Sequence, residues 1–220
     1  MDPGGHRRTL GSHTGAHSAD TDGRAEEIAG CGRKGKGRCG GNIVTAKPAI
    51  NLLDYIREIP DFPKPGVRFR DVTPLLANGD AFGAAVSQMG CFISSDVDAI
   101  VGIESRGFIF GAALAVQMDL GFVPVRKPGK LPAAVHAVEY ELEYGVDMLE
   151  IHRDALAPGH RVAVVDDLLA TGGTASSAVE LVRALGAEVS ECVFLIELDG
   201  LHGRQKLVDV PVHSVVHYEG

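Results

Sequence analysis

The chain has 220 residues and a formal charge of -8, enough for one domain with an appendage or at most two small ones, and its acidic body argues against nucleic acid as the main partner. The longest apolar stretch, "GFIFGAALAVQM", falls short of the roughly 20 residues of a membrane helix, and the polar N-terminus has no signal-peptide core. Four cysteines without CxxC spacing, with Cys91 and Cys192 among apolar neighbours, point to a reducing, cytoplasmic setting.

Residues 1-46 are Gly-rich, carry His6, His13 and His17, and close on "CGRKGKGRCG". Such a segment cannot bury enough apolar surface to offset its ordering entropy, so it reads as a disordered extension. A basic RNA-binding arm or a Cys/His metal site is the sharper alternative, but the step from Cys31 to Cys39 matches no metal-ligand spacing. Residues 47-220 then form the folded domain.

"NLLDYIREI" has apolar residues at helical spacing, and "PDFPKPGV" must be an extended, turn-rich loop. After a further helix in "NGDAFGAAVSQMGCFI", short apolar runs alternate with helical patterns. The runs are "VDAIVGI", "FVPVR", "HRVAVVDDL" and "ECVFLIEL"; the helices are "GFIFGAALAVQMDLG" and "TASSAVELVRALG", both read as Gly-terminated. This alternation predicts a doubly wound, mainly parallel α/β sheet. "HAVEYELEYG" and "VDMLEIHRDAL" alternate polar and apolar around a Gly and predict an antiparallel hairpin projecting from the sheet as a lid. Ligands of such sheets bind beyond the carboxyl ends of the strands, where Glu104, Arg126 and Asp166 each follow an apolar run.

"ATGGT", Ala170, Thr171, Gly172, Gly173 and Thr174, precedes a helix. Its glycines allow close approach, and the helix start supplies free amides and partial positive charge, which suits a phosphate; an ordinary Gly turn capped by Thr174 fits those five residues equally well. Asp166 and Asp167 would repel a phosphate but can accept from sugar hydroxyls or hold hydrated Mg2+. Alone, such an acidic pair is more often a solvated turn. Joined to the loop, it suggests a sugar phosphate.

"VVDDLLATGGT" resembles the phosphoribosyl pyrophosphate (PRPP) motif of the type I phosphoribosyltransferases. "DFPKPGVRFRDVTPLL", "GIESRGFIFGAALA", "VPVRKPGKLP" and "YELEYG" are similar to segments of the adenine phosphoribosyltransferase family in the same order. The likeness runs from about Asn51 to the C-terminus. It implies the type I fold, with the hairpin as lid and a small N-terminal hood, and transfer of a phosphoribosyl group from PRPP to N9 of adenine, giving AMP. By that resemblance residues 170-174 hold the 5'-phosphate, Asp166 and Asp167 the ribose, and Ser105, Arg106, Arg126, Lys127 and Lys130 the pyrophosphate. Adenine lies against Phe69, between main-chain groups of Arg68 and Arg70, with Leu198 nearby; Arg68 departs from the apolar residue usual in the family. Glu143 is implied as the proton-handling residue and Tyr144 as part of the closing lid, although alternation alone would leave Glu139, Glu141 and Glu143 a solvated face. Further implications are a cis peptide at Glu104-Ser105, a homodimer, and Mg2+ carried mainly by PRPP and reached through water from Asp166 or Asp167. A transferase for another base, or a PRPP-sensing regulator that binds nucleic acid, are the alternative readings.

Overall fold

The "VDAIVGI" and "HRVAVVDDL" runs are apolar on both sides, as strands covered on two faces must be. In the computed structural model, which describes residues 50-142 and 145-219, they become β3 and β7 at the centre of a sheet. The elements in chain order are β1 (Arg57–Ile59), β2 (Phe69–Asp71), α1 (Thr73–Ala77), α2 (Gly79–Gly90), β3 (Ala99–Ile103), α3 (Gly107–Met118) and β4 (Gly121–Val125). There follow β5 (Val135–Leu142), β6 (Gly145–His152), β7 (Arg161–Leu169), α4 (Gly173–Ala184), β8 (Glu188–Leu198) and β9 (Val212–Tyr218). The sheet is five-stranded in the order β4-β3-β7-β8-β9, every pairing parallel.

Strand alternation divides the core in two. Val162 and Val164 of β7 join Ala178, Leu181 and Val182 of α4 on one face, while Ala163 and Val165 join Phe110 and Leu114 of α3 and Met89 of α2 on the other. Helices thus cover both faces, the doubly wound arrangement expected. Chain connections leave β3 and β7 in opposite directions, so the crevice beyond these two strands is the switch point at which such sheets bind ligands.

Two expectations need correction. "NLLDYIREI" is not a helix: Asn51 caps a single 3-10 turn at Leu52–Tyr55, and Arg57–Ile59 then extends to pair antiparallel with Phe69–Asp71. The strand partner lies across the proline loop, and Asp71 holds it by accepting from Arg57 (2.6 Å) and from the Thr73 amide (2.9 Å). The Arg57 bonds, and with them those of Thr73, keep Asp71 below the usual carboxylate range. Nor does a glycine end α3. Asp119 takes the left-handed conformation (φ 58°) there, and Gly121 already belongs to β4. Gly186 (φ 78°) does follow α4 as read.

β5 and β6 pair antiparallel in register from Val135↔His152 to Leu142↔Gly145. The hairpin is anchored at its base, because Leu149 and Ile151 are fully buried against the α4 face of the core and Glu150 bridges Arg126 just after β4. Cys192 is buried and its thiol is pushed up to about 12 by burial, first, and by Glu191; Cys91 is only half-buried, less enclosed than its neighbours suggested. Among the described residues no helix is long and apolar enough to cross a membrane.

Candidate active site

Three strand ends and the small β1-β2 hood meet around a cleft of about 610 Å³, within the range typical of small-molecule sites. Its wall includes Phe69, Glu104, Ser105, Arg106, Lys127, Asp166 and Asp167, and the whole run Ala170 to Thr174. The expected anion, diol and diphosphate segments therefore share one cavity, though Ser105 and Thr174 stand far apart in the chain.

The loop after β7 turns at Gly172 (φ 76°), a conformation costly for a side chain, and a Cβ there would run into the main-chain oxygen of Gly203. Gly172 is also the N-cap of α4 and provides no side-chain cap. Thr174 is not the cap. The first-turn amides of α4 consequently face the cleft without intrahelical acceptors, as helix starts do.

Asp166 and Asp167 sit at the mouth of β7 against the start of α3. A Cβ on Gly107 would lie 2.7 Å from Asp166 Oδ1 and 2.9 Å from the Val165 carbonyl, so only glycine permits this approach. Asp166 Oδ1 accepts from the Asp167 amide at 2.8 Å, and Arg106 Nε meets Asp167 Oδ2 at 2.9 Å. Burial, and then the neighbouring Asp167 charge, pushes the Asp166 carboxyl well above its ordinary range; burial raises Asp167 too, against the pull of Arg106.

Glu104 organises the basic loop. It accepts from Arg126 Nε (3.3 Å), from the Lys127 amide (3.0 Å) and from Lys130 Nζ. Burial alone would raise its pKa; the bonds from Lys130, Lys127 and Arg126 outweigh it and hold the carboxylate low. Lys127 Nζ reaches Asp147 on β6 at 2.8 Å, tying the loop to the hairpin. Of the expected diphosphate residues, Ser105, Arg106 and Lys127 line the cleft, while Arg126 and Lys130 stand behind it on Glu104. The Glu104-Ser105 peptide is cis.

Of the residues expected around the base, Phe69 lines the cleft, with Phe62 edge-on at 5.2 Å and the Arg106 guanidinium 5.2 Å from its ring centre. The Arg68 side chain is 67% exposed, lies near Glu58 (3.9 Å) and is not part of the cleft wall. Arg70 stacks on Tyr218 at 3.9 Å. Leu198 is not brought to the cleft wall: it ends β8, paired with Tyr218, and packs among the α2-α3 side of the core. Glu143 and Tyr144 lie outside the described residues, as does the extension 1-46. Sequence reasoning placed Glu104 at the rim, where it lines the cleft, but assigned no role to Asp147 or Leu149 in the wall; the only signal for Asp147 was its place on the second strand of the hairpin.

The phosphoribosyl transferase domain profile matches residues 76–215, a span that includes the two central strands and the amide loop at the cleft. An adenine phosphoribosyltransferase of Rippkaea orientalis is 56% identical over 172 residues, 77% of this chain and 100% of that one. The chain belongs to the adenine phosphoribosyltransferase family. A solved adenine phosphoribosyltransferase from Rhodothermus marinus is 50% identical with a TM-score of 0.72, covering 76% of this chain and 96% of that one. The enzyme from Saccharomyces cerevisiae, solved with an imino-altritol bisphosphate and adenine, is 42% identical with a TM-score of 0.70 over 74% and 96% of the two chains.

Proposed function

We propose that this protein transfers the 5-phosphoribosyl group of PRPP to N9 of adenine, releasing pyrophosphate and AMP in purine salvage. The observation that carries the reading is the single cleft in which an amide loop, two carboxylates, cationic side chains and an aromatic ring converge.

In this mechanism the amides and hydroxyls of residues 170-174 hold the 5'-phosphate, and Asp166 and Asp167 bind the ribose diol. Their carboxylate oxygens accept from the sugar hydroxyls, and Asp167 Oδ2 is held in place by Arg106 Nε at 2.9 Å. Ser105, Arg106 and Lys127 take the diphosphate, supported by Arg126 and Lys130, whose positions Glu104 sets. Adenine packs on Phe69 and is read by the main chain of Arg68 and Arg70, with Leu198 acting from behind the wall. The C1'-oxygen bond breaks with its electron pair leaving on the diphosphate, N9 of adenine protonated at N7 forms the N9-C1' bond, and the N7 proton passes to Glu143. Positive charge builds on the sugar in the transition state, and direct displacement by N9 needs no covalent enzyme intermediate. The protein contributes alignment and a fixed field for the departing diphosphate.

Hard carboxylate oxygens at Asp166 and Asp167 fit Mg2+ held through water. Since Asp167 already pairs with Arg106, the site suits an ion carried mainly by PRPP. Bound there, Mg2+ would neutralise charge on the leaving diphosphate.

Residues 47-220 constitute the catalytic domain in this reading, since a complete 172-residue relative aligns within 77% of the chain. The exposed Ile109 and Val116 of α3 support a homodimer, and the buried thiol of Cys192 a reducing cytoplasm. The test supplies adenine, guanine, xanthine or a pyrimidine with PRPP and Mg2+, to the full chain and to residues 47-220, and follows nucleotide formation. Adenine alone should react, at equal rates in both proteins. Reaction of another base in its place would overturn the specificity, no reaction would favour a regulator, and a slow truncated protein would give the extension a role.

Glu143, which follows β5 in the chain, is proposed to bond N7 of the purine, with Tyr144 helping to close the lid and exclude water. Glu143→Ala should lower kcat by about 10²–10⁴-fold, the scale of general acid-base catalysis, with the KM for PRPP little changed. An unaltered kcat removes Glu143 from the mechanism.

A further inference from the structure

The segment between β8 and β9 is absent from the reaction scheme, yet it presses on the phosphate loop from behind. Gly203 and Gly172 face each other so closely that a Cβ on either would enter the other side's backbone: Gly172 would meet the Gly203 carbonyl, and Gly203 would meet the Ala170 carbonyl and the Leu169 side chain, the latter at 2.9 Å. Gly203 is buried. It opens the 3-10 turn Gly203–Lys206, whose position the next residue determines.

Arg204 donates from Nε and Nη2 to the two oxygens of Glu197, each at 2.6 Å, and from Nη1 to the Val212 carbonyl at 2.7 Å. Glu197 is 3% exposed, also accepts from Ser214 Oγ at 2.6 Å, and is the β8 residue paired with Leu169 at the end of β7. Leu207, buried at the end of the turn, packs into the α4 side of the core. One fork therefore joins the strand beside the phosphate loop, the strand beyond it, and the turn that touches the loop. Both oxygens of a nearly buried carboxylate are engaged by a planar donor, a geometry that lysine cannot reproduce.

We infer that Arg204 and Glu197 are positioning residues for the 5'-phosphate: through Gly203 they hold the Ala170-Thr174 amides at the spacing the phosphate requires. The inference rests on the reading of that loop as the 5'-phosphate site. It concerns only one end of the substrate, because Arg204 is bound to β8 and β9 and not to the Glu104-Lys130 group that serves the diphosphate.

That selectivity supplies the test. Titration calorimetry on the full chain compares ribose 5-phosphate with inorganic pyrophosphate for wild type, Arg204→Ala, Arg204→Lys and Gly203→Ala. The last variant leaves the charges intact and moves only the contact. Misplacing the loop should weaken ribose 5-phosphate by about tenfold or more in Arg204→Ala and Gly203→Ala, leave pyrophosphate unchanged, and raise the KM for PRPP but not for adenine. Arg204→Lys should recover part of the loss. Equal weakening of both ligands, or of neither, overturns the inference. A wild-type protein that binds no ribose 5-phosphate would instead remove the reading of the loop on which it rests.

Discussion

Gly172→Ala is expected to lower kcat/KM for PRPP by about 10²–10³-fold, the scale seen when one fixed donor is lost from a charged reaction centre. Two effects act together. The residue sits at φ 76°, where an L side chain is disfavoured by about 1–2 kcal/mol. Its new methyl group also meets the Gly203 main chain, which cannot step aside because the Leu169 side chain and the Ala170 carbonyl crowd it. The loop must therefore move toward the cleft, carrying the α4 amides out of register with a phosphate. Steady-state kinetics with PRPP varied at saturating adenine, alongside circular dichroism to verify folding, would measure this. A value within about threefold of wild type, less than 1 kcal/mol, would show that the loop does not carry the phosphate.

Arg106→Ala should be the next most damaging change, and it should act on stability as well as catalysis. Arg106 is the cation that faces Asp167, whose side chain is only 6% exposed. Removing one partner of a fully buried pair costs about 3–5 kcal/mol; with 34% of the Arg106 side chain exposed, about 2 kcal/mol is the expected loss at pH 7. The pH dependence has a definite sign. Without Arg106, burial leaves Asp167 with a folded-state pKa further above its unfolded value, so the folded protein binds the extra proton. The penalty is then absent below the unfolded carboxylate range and grows as pH rises toward the folded pKa. Thermal unfolding of variant and wild type should differ by less near pH 4 than at pH 7, with diphosphate affinity lost in parallel. An equal deficit at both pH values would show that the Asp167 charge is not what Arg106 compensates.

Parts of this site were legible in the chain itself. The phosphate loop, the acids before it and the sequence "ESRG" are contiguous, and contiguous chemistry at a strand end is reported by local spacing. The doubly wound sheet was legible for a related reason: an apolar run covered on both faces and a helix with one apolar stripe look different in sequence. The hood was legible only in part. "NLLDYIREI" carries helical spacing, but pairing of Arg57–Ile59 with Phe69–Asp71 and the ion pair to Asp71 outweigh that local preference. Leu198 illustrates a different limit, since its distance from the cleft wall depends on how β8 ends beside Tyr218, which no local pattern records.

The sequence by itself therefore determined the strand and helix alternation, the rim at which the cleft opens, and the contiguous loop and acids to which the proposed function assigns phosphate and diol. Tertiary structure alone decided which charges are already paired: Glu104 gathers Arg126 and Lys130, Asp147 takes Lys127, Asp167 takes Arg106, and Arg204 locks onto Glu197 behind the loop. The physical reason is range. Propensity and periodicity act between residues a few positions apart, whereas the field at the cleft and the support beneath its loop are set by side chains that only folding brings within hydrogen-bonding distance.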